Sequence, residues 1–211
     1  MLLVTTAIFT ISARGQGFLN LNFESAKNLP GNPGNGTLVS TANALPDWTA
    51  YQGGVALANV YYLSNSLGNV SGAVELEGGS LALSGNFSAA LYSDGSISQT
   101  GLVPDNAQSL QFEASSLYVV LDVALGGQRL SYSPLSEGPG YVVFGANIPA
   151  GMDGQTEMLY FGSQDAAGAI LDNIEFSSLS IPEPSTCALI GLGAILLGQR
   201  YFRRGVIESQ P

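Results

Sequence analysis

The spacing of turn residues limits what residues 17–180 can become more than any other feature of the chain. Glycine, asparagine or proline separates most of ten short segments: 18–24, 55–63, 72–78, 80–85, 95–103, 109–115, 117–125, 140–148, 156–163 and 170–179. None of the intervening sequence has the 3.6-residue apolar period of an amphipathic helix, whereas several segments alternate with the period of two that half-buried strands require. In "FLNLNFE" Leu19, Leu21 and Phe23 share one face, with Asn20, Asn22 and Glu24 behind them. Ten such segments in one domain's length predict an all-β fold, an antiparallel β-sandwich over 16–180, with residues 28–47 as a long loop or irregular edge.

Charge and residue usage then remove whole classes of function. The net charge is −10, but the span 16–181 holds only Lys27 and Arg129 against fourteen acids, which leaves it near −12. Binding nucleic acid requires basic surface to displace counterions from phosphates, so that partner is excluded. The chain has no histidine and a single cysteine, Cys187. Ser-His-Asp and Cys-His catalysis, histidine-ligated metals and thiolate zinc sites are therefore absent, as is any disulfide within the chain. Low charge (10%) with 27 glycines fits an exported β protein better than a cytosolic helical one.

The two ends agree with export. Residues 1–15 carry an apolar run, Leu2 to Ile11, followed by Ala13 and Gly15 at the spacing of a leader-peptidase site. No basic residue precedes the run, so either the natural start lies upstream or the stretch is a buried strand. Near the C-terminus, residues 186–202 hold about one short membrane span, apolar on every side. Arg200, Arg203 and Arg204 follow it and mark the cytoplasmic side, with 205–211 as a cytoplasmic tail. Pro182, Glu183 and Pro184, then the apolar run, then the arginine cluster resemble the PEP-CTERM sorting signal over 181–204. That resemblance implies recognition by an exosortase after export, transient or lasting anchorage in the inner membrane, and a place at the cell surface or in the extracellular matrix. It also implies a link to exopolysaccharide and biofilm.

A second resemblance covers the body. The phrases "NFE", "PDW", "SISQTG", "SLQFEAS" and "LDNIEFS" are similar to those of jelly-roll, galactose-binding-like sandwiches, which include many carbohydrate-binding modules. It implies one structural calcium ion held by an acid of the first strand and an aspartate of the last, here Glu24 and Asp172. Sugar recognition pairs aromatic platforms with amides and carboxylates. Trp48, Tyr51 and Tyr62 are the candidate contacts, although a lone tryptophan also serves a sandwich as a core plug and Tyr61 and Tyr62 must face opposite ways. Glu75 and Glu77 share one strand face about 7 Å apart, as an exposed edge would carry them. No motif singles out a catalytic carboxylate pair. The expectation is a non-enzymatic surface or matrix protein that binds polysaccharide; the rivals are an adhesive, protein-contacting sandwich and a secreted glycoside hydrolase.

Overall fold

The computed structural model describes residues 17–31, 36–63, 72–92, 94–115, 120–163 and 168–182. The chain divides into a unit of residues 1–179 and a second of 180–211. The first holds β1 (Thr37–Ser40), β2 (Thr49–Gln52), β3 (Val55–Ala56), β4 (Asn59–Leu63), β5 (Val74–Gly78), β6 (Phe87–Leu91) and β7 (Gly95–Leu102). It continues through β8 (Ser109–Ala114), β9 (Leu121–Leu125), β10 (Gln128–Arg129), β11 (Tyr132–Gly138), β12 (Tyr141–Asn147), β13 (Thr156–Ser163) and β14 (Ala169–Ser177). A single helical turn, α1 (Thr41–Ala44), and a 3-10 turn at Gly79–Leu81 complete the described elements.

Two sheets form. One has eight strands in the order β1-β4-β5-β6-β14-β8-β12-β11, the other six in the order β10-β9-β13-β7-β2-β3. Their inner faces share one core. Phe112 on β8 meets Phe161 on β13 edge to face at 5.3 Å, which joins the two sheets, and also contacts Phe144 at 5.7 Å and Tyr132 at 5.4 Å. Ile97, Val123, Leu159 and Phe161 point inward from the six-stranded sheet and Leu76, Leu91, Leu110 and Leu171 from the eight-stranded one, all of them fully buried. Burying such side chains supplies about 1.5–3 kcal/mol each and holds the layers together.

The all-β sandwich is as expected, with corrections in its details. The sheet is mixed rather than antiparallel throughout, because β4 and β5 run parallel, Tyr61 opposite Glu75 and Leu63 opposite Glu77. Residues 18–24 are turns and not a strand, with Asn20 and Phe23 in the left-handed region at φ 49° and 57°. Side chains replace the missing ladder: Gln99 Oε1 accepts from Leu19 N at 2.5 Å, and Gln99 Nε2 donates to the Leu19 carbonyl at 2.9 Å. Residues 80–85 give a 3-10 turn and bends instead of a strand, while β1 and α1 lie inside the stretch read as a loop.

Gly95 shows how closely the β6–β7 turn approaches β5. A methyl group there would sit 1.8 Å from the Ala73 carbonyl oxygen, a group that already accepts the Tyr92 N–H at 2.9 Å. Backbone against backbone cannot yield as a flexible side chain can. Gly95→Ala is expected to cost about 1–3 kcal/mol, read as a lower denaturation midpoint with an unchanged slope.

Candidate ligand groove and sorting signal

The outer face of the six-stranded sheet holds an open groove. Strand alternation turns Tyr51, Ser96, Ser98, Asp122, Tyr160 and Gly162 outward while their neighbours Ala50, Ile97, Val123 and Phe161 enter the core. Register then sets four of them in one row: Tyr51 opposite Ser96, Ser96 opposite Gly162, Gly162 opposite Asp122. Tyr160 lies in the next row, opposite Ser98. The groove has a volume of about 420 Å³ and is also lined by Gly53, Gly54, Asp94 and Met158.

Its chemistry follows from that placement. Two half-buried phenols flank a floor of serine hydroxyls and glycine. A methyl group on Gly162 would lie 2.4 Å from the Tyr160 hydroxyl, so glycine is what lets that ring lie across the floor. Ser98 Oγ donates to the Tyr51 hydroxyl at 3.4 Å. Arg129 donates to Asp122 Oδ1 at 2.5 Å, and that carboxylate's hydrogen bond and charge push the guanidinium further above its usual range. The groove thus offers aromatic surface beside hydroxyl and carboxylate groups, the pairing that sugar rings need.

Of the expected aromatic contacts, only Tyr51 reaches this groove. Trp48 is 5% exposed, packs against Phe23 at a ring distance of 5.8 Å, and spends its indole N–H on the Asn20 carbonyl at 2.9 Å. It is the core plug. Tyr62 is 8% exposed and lies edge-on to Phe87 at 6.1 Å, because strand alternation gives the outer face to its neighbour Tyr61. Sequence reasoning missed Tyr160, although "EMLYFGS" alternates and places it opposite the apolar Leu159 and Phe161.

Glu24 and Asp172 both reach the segment 84–87, from separate directions. Glu24 Oε1 accepts from Asn86 N at 2.6 Å and Phe87 N at 3.0 Å, and Oε2 accepts from Asn86 Nδ2 at 2.8 Å. Burial acts upward on its pKa, but the Asn86 and Phe87 donors outweigh it and hold the group below the ordinary range. Asp172 Oδ2 accepts from Ser88 Oγ at 2.6 Å and Ser84 N at 3.3 Å, and Oδ1 from Asn173 N at 2.7 Å. Burial, 1% exposed, pushes Asp172 up to about 6. All four carboxylate oxygens already face protein donors. This pair does not fit a shared calcium, since an ion needs those lone pairs and the N–H groups would repel it. Among the described residues, no three acidic, cysteine or histidine side chains converge as a metal cage.

Glu75 and Glu77 are the largest departure. They are 1% and 4% exposed, not an edge pair, since β5 lies inside the eight-stranded sheet between β4 and β6.

Of the sorting signal, Pro182 is described and exposed. Glu183, Pro184, the expected helix 186–202, Arg200, Arg203 and Arg204 lie outside the described residues, as does the expected leader 1–15. Among the described residues no helix is long and apolar enough to cross a membrane. No curated protein matches the chain. Residues 180–204 match the family described as PEP-CTERM protein-sorting motif, one residue longer at the start than the signal read from the tripeptide and its flanks. The chain therefore carries a PEP-CTERM sorting motif at its C-terminal end.

Proposed function

We propose that this is an exported, exosortase-sorted surface or matrix protein whose sandwich, jelly-roll and galactose-binding-like in kind, acts without catalysis and binds polysaccharide in the Tyr51–Tyr160 groove. The sorting motif at 180–204 supports the first half of that reading. The motif's two prolines bias the backbone toward an extended form suited to a protease cleft, and the apolar run beyond holds that cleavage point at the membrane. Changing Pro182, Glu183 and Pro184 to alanine in the producing cell is expected to leave a longer, membrane-held form on a blot. Normal processing of that variant would remove the exosortase from the account.

The groove supports the second half. Stacking and hydroxyl contacts from a shallow open site suit a polymer that passes through. In native gels carrying a panel of polysaccharides, the full chain is expected to be retarded by at least one. Tyr51→Ala and Tyr160→Ala should each weaken that retardation about tenfold, the effect of losing roughly 1–1.5 kcal/mol of aromatic contact. Retardation that both variants retain would place the glycan elsewhere, and none with any polymer favours the adhesive, protein-contacting reading.

A further inference from the structure

A second groove opens on the outer face of the eight-stranded sheet, on the other side of the sandwich from Tyr51 and Tyr160. It has a volume of about 610 Å³, within the usual range of ligand clefts, and crosses β14, β8, β12 and β11. Register sets its floor, with Ser136 opposite Val143 and Val143 opposite Glu113. Gln111 and Glu175 face each other one row along. Register shifts mark both rims, between Asp172 and Glu175 on β14 and between Pro134 and Ser136 on β11. Bulges bend the strands that carry them, and the one on β14 holds Asn173 in the left-handed region at φ 41°. Ile174 N donates to the Leu21 carbonyl at 2.9 Å, which fastens residues 21–22 along that rim as a wall.

The lining combines amide, carboxylate and hydroxyl groups with the aliphatic side chains of Leu21 and Val143, and it contains no aromatic ring. Part of the polar set is fixed from behind. Asn173 Nδ2 donates to Ser84 Oγ at 2.7 Å, and Ser84 Oγ donates to Glu113 Oε2 at 3.1 Å. Gln111 and Glu175 make no side-chain hydrogen bond among the described residues, although they stand opposite each other. An amide beside a carboxylate offers donor and acceptor together, which suits neighbouring hydroxyls of a sugar ring, since each hydroxyl both donates and accepts. Aliphatic side chains cover the C–H side of such a ring where no aromatic platform is present. No cation lines the groove, and Glu113 and Glu175 repel phosphate, sulfate and uronate groups.

We propose that this groove is a second glycan site, which takes a neutral sugar residue by its hydroxyl edge instead of stacking on its face. Gln111 and Glu175 bind adjacent hydroxyls, Glu113 binds a third, and Val143 lies under the ring. The site stands on its own lining and does not depend on the Tyr51–Tyr160 groove. One consequence rests on that earlier reading: with both grooves filled, on opposite outer faces of the sandwich, one molecule bridges two glycan chains.

Side-chain amide signals in NMR spectra of the isotopically labelled full chain provide a test that reports from the site itself. Titration with a panel of neutral hexoses and their short oligomers is expected to shift the Gln111 amide saturably for at least one of them, the signal being assigned by its loss in Gln111→Ala. Glu175→Gln keeps the side chain's shape and removes its charge, and it should weaken that binding about tenfold, the effect of one hydrogen bond to a charged group. The corresponding uronic acids should leave the signal in place. Tyr51→Ala combined with Tyr160→Ala should leave the titration unchanged, so the two grooves stand or fall separately. No saturable shift with any neutral sugar overturns the proposal. Equal binding of neutral and uronic sugars, or equal affinity in wild type and Glu175→Gln, overturns it as well.

Discussion

Phe112→Ala is expected to destabilise the protein by about 3–5 kcal/mol, a large part of the roughly 5–15 kcal/mol that a domain has in total. Phe112 is fully buried and touches Tyr132, Phe144 and Phe161, so it links β11, β12 and β13 through one ring. The contact with Phe161 crosses from one sheet to the other. Truncation leaves a cavity lined by three rings, and rings held on separate strands cannot close over it without bending both sheets. Urea denaturation followed by intrinsic fluorescence measures the effect, with Tyr160→Ala as control. Tyr160 is a comparable aromatic on the outer face, and its loss is expected to cost under about 1 kcal/mol. Similar midpoints for the two variants would mean that the sheets are not joined through Phe112.

In chelated buffer, stability is expected to rise as the pH is lowered from about 8 to about 5, contrary to the common behaviour of acidic proteins. Three buried acids set the sign, Glu75 among them, since burial raises it against the Gly72 hydrogen bond. Burial, and then the charge of Glu75, push Glu77 up to about 7, and burial pushes Asp172 up to about 6. Both values lie above those of the unfolded chain. Below the ordinary carboxylate range both states are protonated and neither group imposes a penalty. Between that range and about pH 6–7 the unfolded chain ionises while the folded chain holds its protons, so stability falls as the pH rises. Above pH 7 the full penalty persists. For Glu77 it amounts to about 3 kcal/mol at 1.36 kcal/mol per pKa unit. Glu77→Gln is expected to raise the denaturation midpoint at pH 8 and to flatten this part of the profile, leaving the contributions of Asp172 and Glu75. A wild-type profile that rises with pH over this window would show that both carboxylates are solvated or paired in solution.

The legible parts of this protein are those whose cause is local. β7, β8, β12 and β13 begin and end within one residue of where alternation and turn residues place them, because a period of two is written into consecutive side chains. The sorting tail is legible for the same reason, since a tripeptide, an apolar run and a basic cluster act in sequence order. Residues 18–24 alternate just as well and yet form turns. Their backbone partners are distant side chains, Gln99 at Leu19 and Trp48 at Asn20, and nothing within the segment announces them. Trp48 itself could have been a platform or a plug, and the position of Phe23 decided it.

The groove was half visible. Tyr51 and Tyr160 each face outward by a parity that the sequence contains, but only the order β13-β7-β2 brings them to one face, with Ser96 and Ser98 on the strand between them. Glu75 and Glu77 make the same point most sharply. Their alternation with Val74 and Leu76 correctly turns them away from the core, and in an edge strand that would mean water. The sequence by itself determined the all-β class, the faces of the main strands, the absence of histidine and the sorting motif. Only the tertiary structure decided that β5 is an interior strand and that its outer face is covered, because burial depends on which strands become neighbours, and that pairing is made by contacts far apart in the chain.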